Sequence, residues 1–151
     1  MSAAAIRLRP YQAADEPAAI ELWRRTWQIA YPHIDFTARV QWWRERWRGE
    51  LVPRARIVVA EADGVLEGFV TVEPNSGYLD QIVVAPEFWG SSVAPLLIGE
   101  AKRIAPARLV LTVNKDNARA IRFYEKHGFV LEGDDVNAIS GRPVYRMSWR
   151  P

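Results

Sequence analysis

The chain has 151 residues, a formal net charge of +2 and no cysteine. That length suits one domain, residues 1–151, with a real core, and the absence of thiols excludes a disulfide framework, a thiolate nucleophile and a zinc–thiolate centre. The two histidines lie far apart in sequence, so no metal-ligand cluster is visible and no metal is expected.

The amino-terminal stretch MSAAAIRLR lacks the long apolar core of a signal peptide. No stretch is long and apolar enough to span a bilayer, and a cytoplasmic protein without a membrane partner is expected. Ile6 to Arg9 reads as a first strand, ended by Pro10. Asp15 to Ala30 reads as a helix whose Ile20, Trp23 and Trp27 share a face that Tyr31 continues. Pro32 breaks it. A second helix starts after Asp35 or Thr37, either of which suits a cap, and carries Val40, Trp43 and Trp47 to an end near Gly49. The pair Arg24-Arg25 and the series Arg44, Arg46, Arg48 bring nucleic acid to mind. No helix-turn-helix, zinc finger or RNA-recognition signature accompanies them, so they read as solvated helix faces and no nucleic-acid partner is expected.

Arg56 to Glu61 is a strand, and Asp63-Gly64 suits the tight turn that returns it as Val65 to Glu73, with a bulge expected at Gly68. Pro74-Asn75-Ser76-Gly77 is a second turn. Tyr78 to Val84 ends in β-branched residues and reads as a buried strand, stopped at Pro86. The small-residue turn Gly90-Ser91-Ser92 follows. Ala94, Leu97, Ala101 and Ile104 then recur at helical spacing up to Pro106. Strand, small-residue loop and helix start together form a way to hold phosphate, because backbone N–H groups approach an anion freely and the helix dipole favours it. Taken alone the signal is weak.

Arg108 to Val113 reads as a strand parallel to the one at Tyr78, reached through a crossover. Asn114 to Phe129, NKDNARAIRFYEKHGF, carries a helix from Asn117 to about His127, stopped at Gly128. Asn117, Ile121 and Tyr124 share one face of it, while Phe123 and Phe129 read as packing. Phe129 to Glu132 and Val144 to Trp149 close the fold as an antiparallel pair. The polar stretch between them, with Gly133, Asp134, Asp135 and Gly141, reads as a loop.

The two stretches together resemble the GNAT acetyltransferase superfamily: a strand ending Val-x-Pro before a glycine-rich pyrophosphate loop, then Asn-x-x-Ala-x-x-x-Tyr and Gly-Phe. The resemblance implies an α/β fold with a central, mixed and mostly antiparallel sheet flanked by helices. It implies an N-acetyltransferase that moves an acetyl group from acetyl-CoA to a primary amine of a small molecule or protein by direct attack, as a monomer or homodimer. The strand before the loop and the one after its helix would splay apart with acetyl-CoA in the gap; Ile82, Val83 and Val84 would offer backbone groups to the pantetheine arm, and Trp89, Gly90, Ser91, Ser92, Val93 and Ala94 would face the pyrophosphate. Asn117 would hydrogen-bond the cofactor, and Tyr124 would donate its phenol proton to the departing thiolate. Trp27, Tyr31 and His33 would line the acceptor pocket with Tyr78 and Asp80.

A lysine-like amine is almost wholly protonated at neutral pH, with a pKa near ~10.4, so a base is needed. Asp80 is the first choice, provided that burial raises its pKa, and Glu73 the second. Three departures stand out. Trp89 replaces a Gln or Arg of the family pattern, Ser92 a Gly, and Pro95 lacks an N–H. They define the alternative, a GNAT-fold binding or sensory module with weakened acetyl-CoA binding.

Overall fold

The structure, a computed structural model, describes residues 5–151. The first four residues of the amino-terminal stretch lie outside the described residues. Among the described residues seven strands form two antiparallel sheets. The first holds β1 (Arg7–Pro10), β2 (Arg56–Ala62), β3 (Val65–Val72) and β4 (Leu79–Val84) in that order. In the second, β7 (Pro143–Trp149) lies between β5 (Leu109–Asn114) and β6 (Val130–Val136). The expected α/β architecture with a mostly antiparallel sheet is present.

The parallel pairing expected between the strands at Tyr78 and Arg108 shrinks to one bridge, Tyr78 to Val110, where the Val110 N–H donates to the Gly77 carbonyl at 2.9 Å. Beyond it β4 and β5 share no further rungs. Gly77 permits the contact: its φ is +75°, and a Cβ there would collide with the Arg108 carbonyl. A register shift at Thr71/Val72 on β3 lies close by and another at Ala60/Glu61 on β2 lies toward the far end of the same strands, and bulges increase local twist. The second of them makes Glu67, not Gly68, the extra residue. Gly68 has a different reason: a Cβ there would sit 2.7 Å from the Val83 carbonyl oxygen and 3.0 Å from the Leu97 side chain. It lets a helix settle directly on β3.

That helix is α4 (Val93–Ile104), and its Val93, Leu97, Ile98 and Ala101 pack with Val70, Val72, Leu109 and Met147 in one core. The other side of the first sheet is covered by α1 (Glu16–Ala30) and α2 (Val40–Arg46). There Trp23 stacks on Trp43 at 4.6 Å and Trp47 meets Phe69 edge-on at 5.2 Å. These are the periodic aromatics of the two predicted helices, and burying each stabilises by on the order of 2–3 kcal/mol. The second helix overruns its predicted end. After a 3-10 turn at Thr37–Arg39 and α2, it widens into a π turn at Trp47–Leu51 and ends with α3 (Val52–Arg54). Gly49 does not stop it because buried Trp47 and Leu51 anchor both sides, and a π turn absorbs the mismatch. Asp35 supplies the cap, its Oδ1 accepting from the Ala38 N–H at 3.1 Å.

The last helix is α5 (Ala118–Lys126), closed by Gly128 at φ +90°. The predicted loop after Glu132 is a correction: β6 continues through Gly133, Asp134 and Asp135 to Val136. The segment is solvent-facing, so it needs no apolar alternation to be a strand. Lys115 pairs with Asp134 at 2.8 Å and Arg146 reaches Asp135 at 3.4 Å.

Candidate functional site

The divergence of β4 and β5 opens a gap whose chemistry follows from strand alternation. The Ala85 N–H donates to the Glu67 carbonyl at 2.9 Å, so Ala85 faces β3. Backbone groups alternate sides along a strand. Ile82 and Val84 therefore turn theirs to the gap, while Val83, opposite Phe69, turns its own to β3. Of the three residues expected to offer backbone to a pantetheine arm, Val83 is thus turned away.

At the mouth of the gap lies the loop before α4. Gly90 takes φ +81° with open space around it, and Ser92 sits at φ −76°. The serine therefore occupies ordinary backbone and its Cβ costs nothing conformationally. The Ser91 hydroxyl donates to the Phe88 carbonyl at 2.6 Å and accepts from the Val93 N–H at 3.3 Å. The Gly90, Ser92 and Ala94 N–H groups make no hydrogen bond among the described residues. Pro95 contributes none. Three free donors at the positive end of a helix form a set suited to a phosphate anion.

Trp89 lies across this mouth. Its indole N–H donates to the Val84 carbonyl at 2.8 Å, and the Arg119 guanidinium covers its ring at 3.7 Å. Desolvation lowers the Arg119 pKa from its ordinary value, and no carboxylate offsets this. Sequence reasoning missed Arg119. Its signal was positional: a cation in the first turn of a helix opposes the dipole.

Tyr124 is buried in the core cluster that also holds Val84 and Val113, from the strands on either side of the gap. Phe129 and Phe123 pack on it at 5.4 and 5.5 Å. Its hydroxyl has no hydrogen-bond partner among the described residues, and burial pushes its pKa well above the ordinary phenol value. Asn117 caps α5, its Oδ1 accepting from the Ala120 N–H at 3.2 Å. That explains the residue structurally and leaves its side-chain N–H₂ to donate.

On the far side of the gap, Tyr31 is buried rather than presented. Its hydroxyl donates to Asp116 Oδ1 at 2.9 Å and accepts from Asn114 Nδ2 at 3.1 Å. Arg142 covers its ring at 4.4 Å and pairs with Asp116. The segment after α1 is thereby tied to the end of β5. Trp27 stacks on Tyr31 at 5.7 Å and stays half-buried, and His33 is exposed 6.2 Å from the Tyr31 ring. Tyr78 is partly exposed at the start of β4. Asp80 is not the free carboxylate expected of a base. Arg46 from α2 grips both its oxygens at 2.8 and 2.5 Å, and Arg46 Nε also reaches Glu50 at 3.2 Å. The Asp80 hydrogen bonds hold the Arg46 pKa above its ordinary value. Glu73 follows the end of β3, half-buried.

Two antiparallel sheets that part at one bridge, with an anion-ready helix start at the mouth of the opening, make a cleft suited to a phosphate-bearing ligand. The acetyltransferase (GNAT) family model matches residues 17–129, and the chain belongs to that family. It is 28% identical over 145 residues to the peptidyl-lysine N-acetyltransferase YiaC of Escherichia coli, covering 94% of this chain and 95% of the relative. It is 25% identical over 139 residues to the peptidyl-lysine N-acetyltransferase YjaB of Salmonella typhimurium, covering 91% and 92%. Among solved structures, the PaiA N-acetyltransferase of Thermoplasma acidophilum in complex with coenzyme A aligns with a TM-score of 0.78 at 22% identity, over 97% of this chain and 99% of that one.

Proposed function

We propose that the protein transfers an acetyl group from acetyl-CoA to a primary amine, with the lysine side chain of a peptide or protein as the favoured acceptor. The observation that carries the reading is Tyr124, whose side chain is buried in the core beside the opening while its hydroxyl makes no hydrogen bond among the described residues and stays accessible rather than enclosed. A phenol fixed by the core with an accessible, unpaired hydroxyl is free to donate to a bound group. The names of the two curated relatives support the acceptor class.

Bound acetyl-CoA supplies an activated acyl carbon and a thiolate leaving group. The N–H groups of Gly90, Ser92 and Ala94 hold the pyrophosphate, and Ile82 offers backbone groups to the pantetheine arm. The Asn117 side-chain amide donates to the same ligand. A strand N–H in the gap polarises the acyl oxygen as the amine attacks. Tyr124 then gives its proton to the leaving sulfur; its raised pKa keeps it protonated throughout the neutral range. Because Arg46 occupies both Asp80 oxygens, the amine proton leaves through water, and Asp80 holds the acceptor end of β4 in place.

The test is thermal stabilisation by acetyl-CoA, which a ligand of the native state must produce, followed by thiol release with lysine peptides. Tyr124→Phe is expected to lower kcat by about 100-fold or more while the stabilisation by acetyl-CoA persists. Absence of any shift at millimolar acetyl-CoA would replace this reading with the binding-module one. An unchanged kcat would remove Tyr124 as the acid.

A further inference from the structure

We propose that Arg119, held against the face of Trp89, is the cationic anchor for the donor's pyrophosphate. The inference rests on acetyl-CoA being the donor and adds a residue outside the loop that its backbone N–H groups define.

Three observations converge. Arg119 stands in the first turn of α5, where a positive charge works against the helix dipole by about 0.3–1 kcal/mol. No carboxylate compensates it among the described residues. Most of the other arginines near the gap are paired: Arg46 with Asp80, Arg142 with Asp116, Arg25 with Glu87. Arg119 is exposed, so its unpaired charge is accessible to an incoming anion. The guanidinium is also held at a fixed place. Trp89 is fixed by its hydrogen bond to the Val84 carbonyl, and Arg119 lies 3.7 Å from its ring centre. Trp89 begins the loop whose Gly90, Ser92 and Ala94 N–H groups are free. Stacking leaves the edge of a planar guanidinium available, and that edge matches two phosphate oxygens. Backbone donors from one helix and a fork of N–H groups from another then approach one doubly charged group from two sides.

Titration calorimetry of CoA and of 3′-dephospho-CoA against the wild type, Arg119→Ala and Arg119→Lys tests this. Arg119→Ala is expected to weaken both ligands by the same factor, roughly tenfold or more, and to flatten the dependence of affinity on salt. Arg119→Lys, which keeps the charge and loses the planar fork, falls between. The ligand-free melting temperature of Arg119→Ala stays the same or rises, since a cation has left the first turn of a helix. Undiminished affinity overturns the proposal. So does a loss confined to CoA, which would place Arg119 on the 3′-phosphate, and so does a loss with unchanged salt dependence, which would mark distortion of the loop. A wild type that binds neither ligand fails at the donor itself, an outcome separate from any effect of the Arg119 variants.

Discussion

Asp80 and Arg46 meet at 2.5–2.8 Å with side chains 9% and 18% exposed. A carboxylate whose lone pairs are filled by a guanidinium is poorly placed to take a proton from an amine. If the pair positions β4, Asp80→Asn and Arg46→Gln should reduce kcat/KM by similar factors. Each should also lose about 2 kcal/mol of stability in urea, because removing one partner strands the other. If Asp80 is the base, Asp80→Asn alone collapses kcat, while Arg46→Gln stays active. The sequence supplied the residue but not its partner: Arg46 lies 34 positions earlier, on a helix read as a solvated face. The same holds for Tyr31. Its place among Trp27 and His33 was legible, yet the hydroxyl contacts to Asn114 and Asp116 come from a chain segment more than 80 residues away.

At the scale of elements, helices and strands were legible where periodicity and turn residues agreed. Asp63-Gly64 is such a case, with φ of +51° and +74° as the tight turn demands. The failures came where a stop signal met a stronger tertiary anchor, at Gly49, or where an edge strand carried polar residues, at Asp134 and Asp135. The two glycines Gly64 and Gly77 separate conformation from contact. Both have positive φ, but Gly64 has open space around it and Gly77 faces the Arg108 carbonyl. Gly64→Ala should therefore cost only the backbone term, about 1 kcal/mol. Gly77→Ala should cost about 3 kcal/mol or more, because the strand must also withdraw from Val110. Urea midpoints of the two variants measure the difference. Equal losses would mean that the junction yields freely.

For the whole molecule, the buried phenols set the alkaline limit. Burial raises Tyr124, Tyr31 and Tyr11 above the ordinary value, desolvation being the largest cause in each. A raised folded-state pKa gives stability that is complete below the unfolded value, near ~10 for tyrosine, and lost as pH rises through the folded one. Melting temperature should therefore hold between about pH 7 and 9 and fall above about pH 10, with a shallower fall in Tyr124→Phe. A fall that begins near neutrality would contradict this. The overall architecture could be read from two motifs because both are local in sequence. The division into two sheets was implied by the family resemblance but has no local signal of its own, since it depends on how distant strands pack. That division has a consequence of its own. Among the described residues every rung but one belongs wholly to one sheet or the other, so the spacing between β4 and β5 is not fixed by a shared ladder. Changing it puts one interstrand hydrogen bond at risk together with the packing that α4 and Tyr124 share with both sheets, whereas unzipping a continuous sheet would also sacrifice several ladder bonds. Substitutions around Gly77 and Val110 can thus retune how wide a guest the cleft admits while both halves of the scaffold keep their own register.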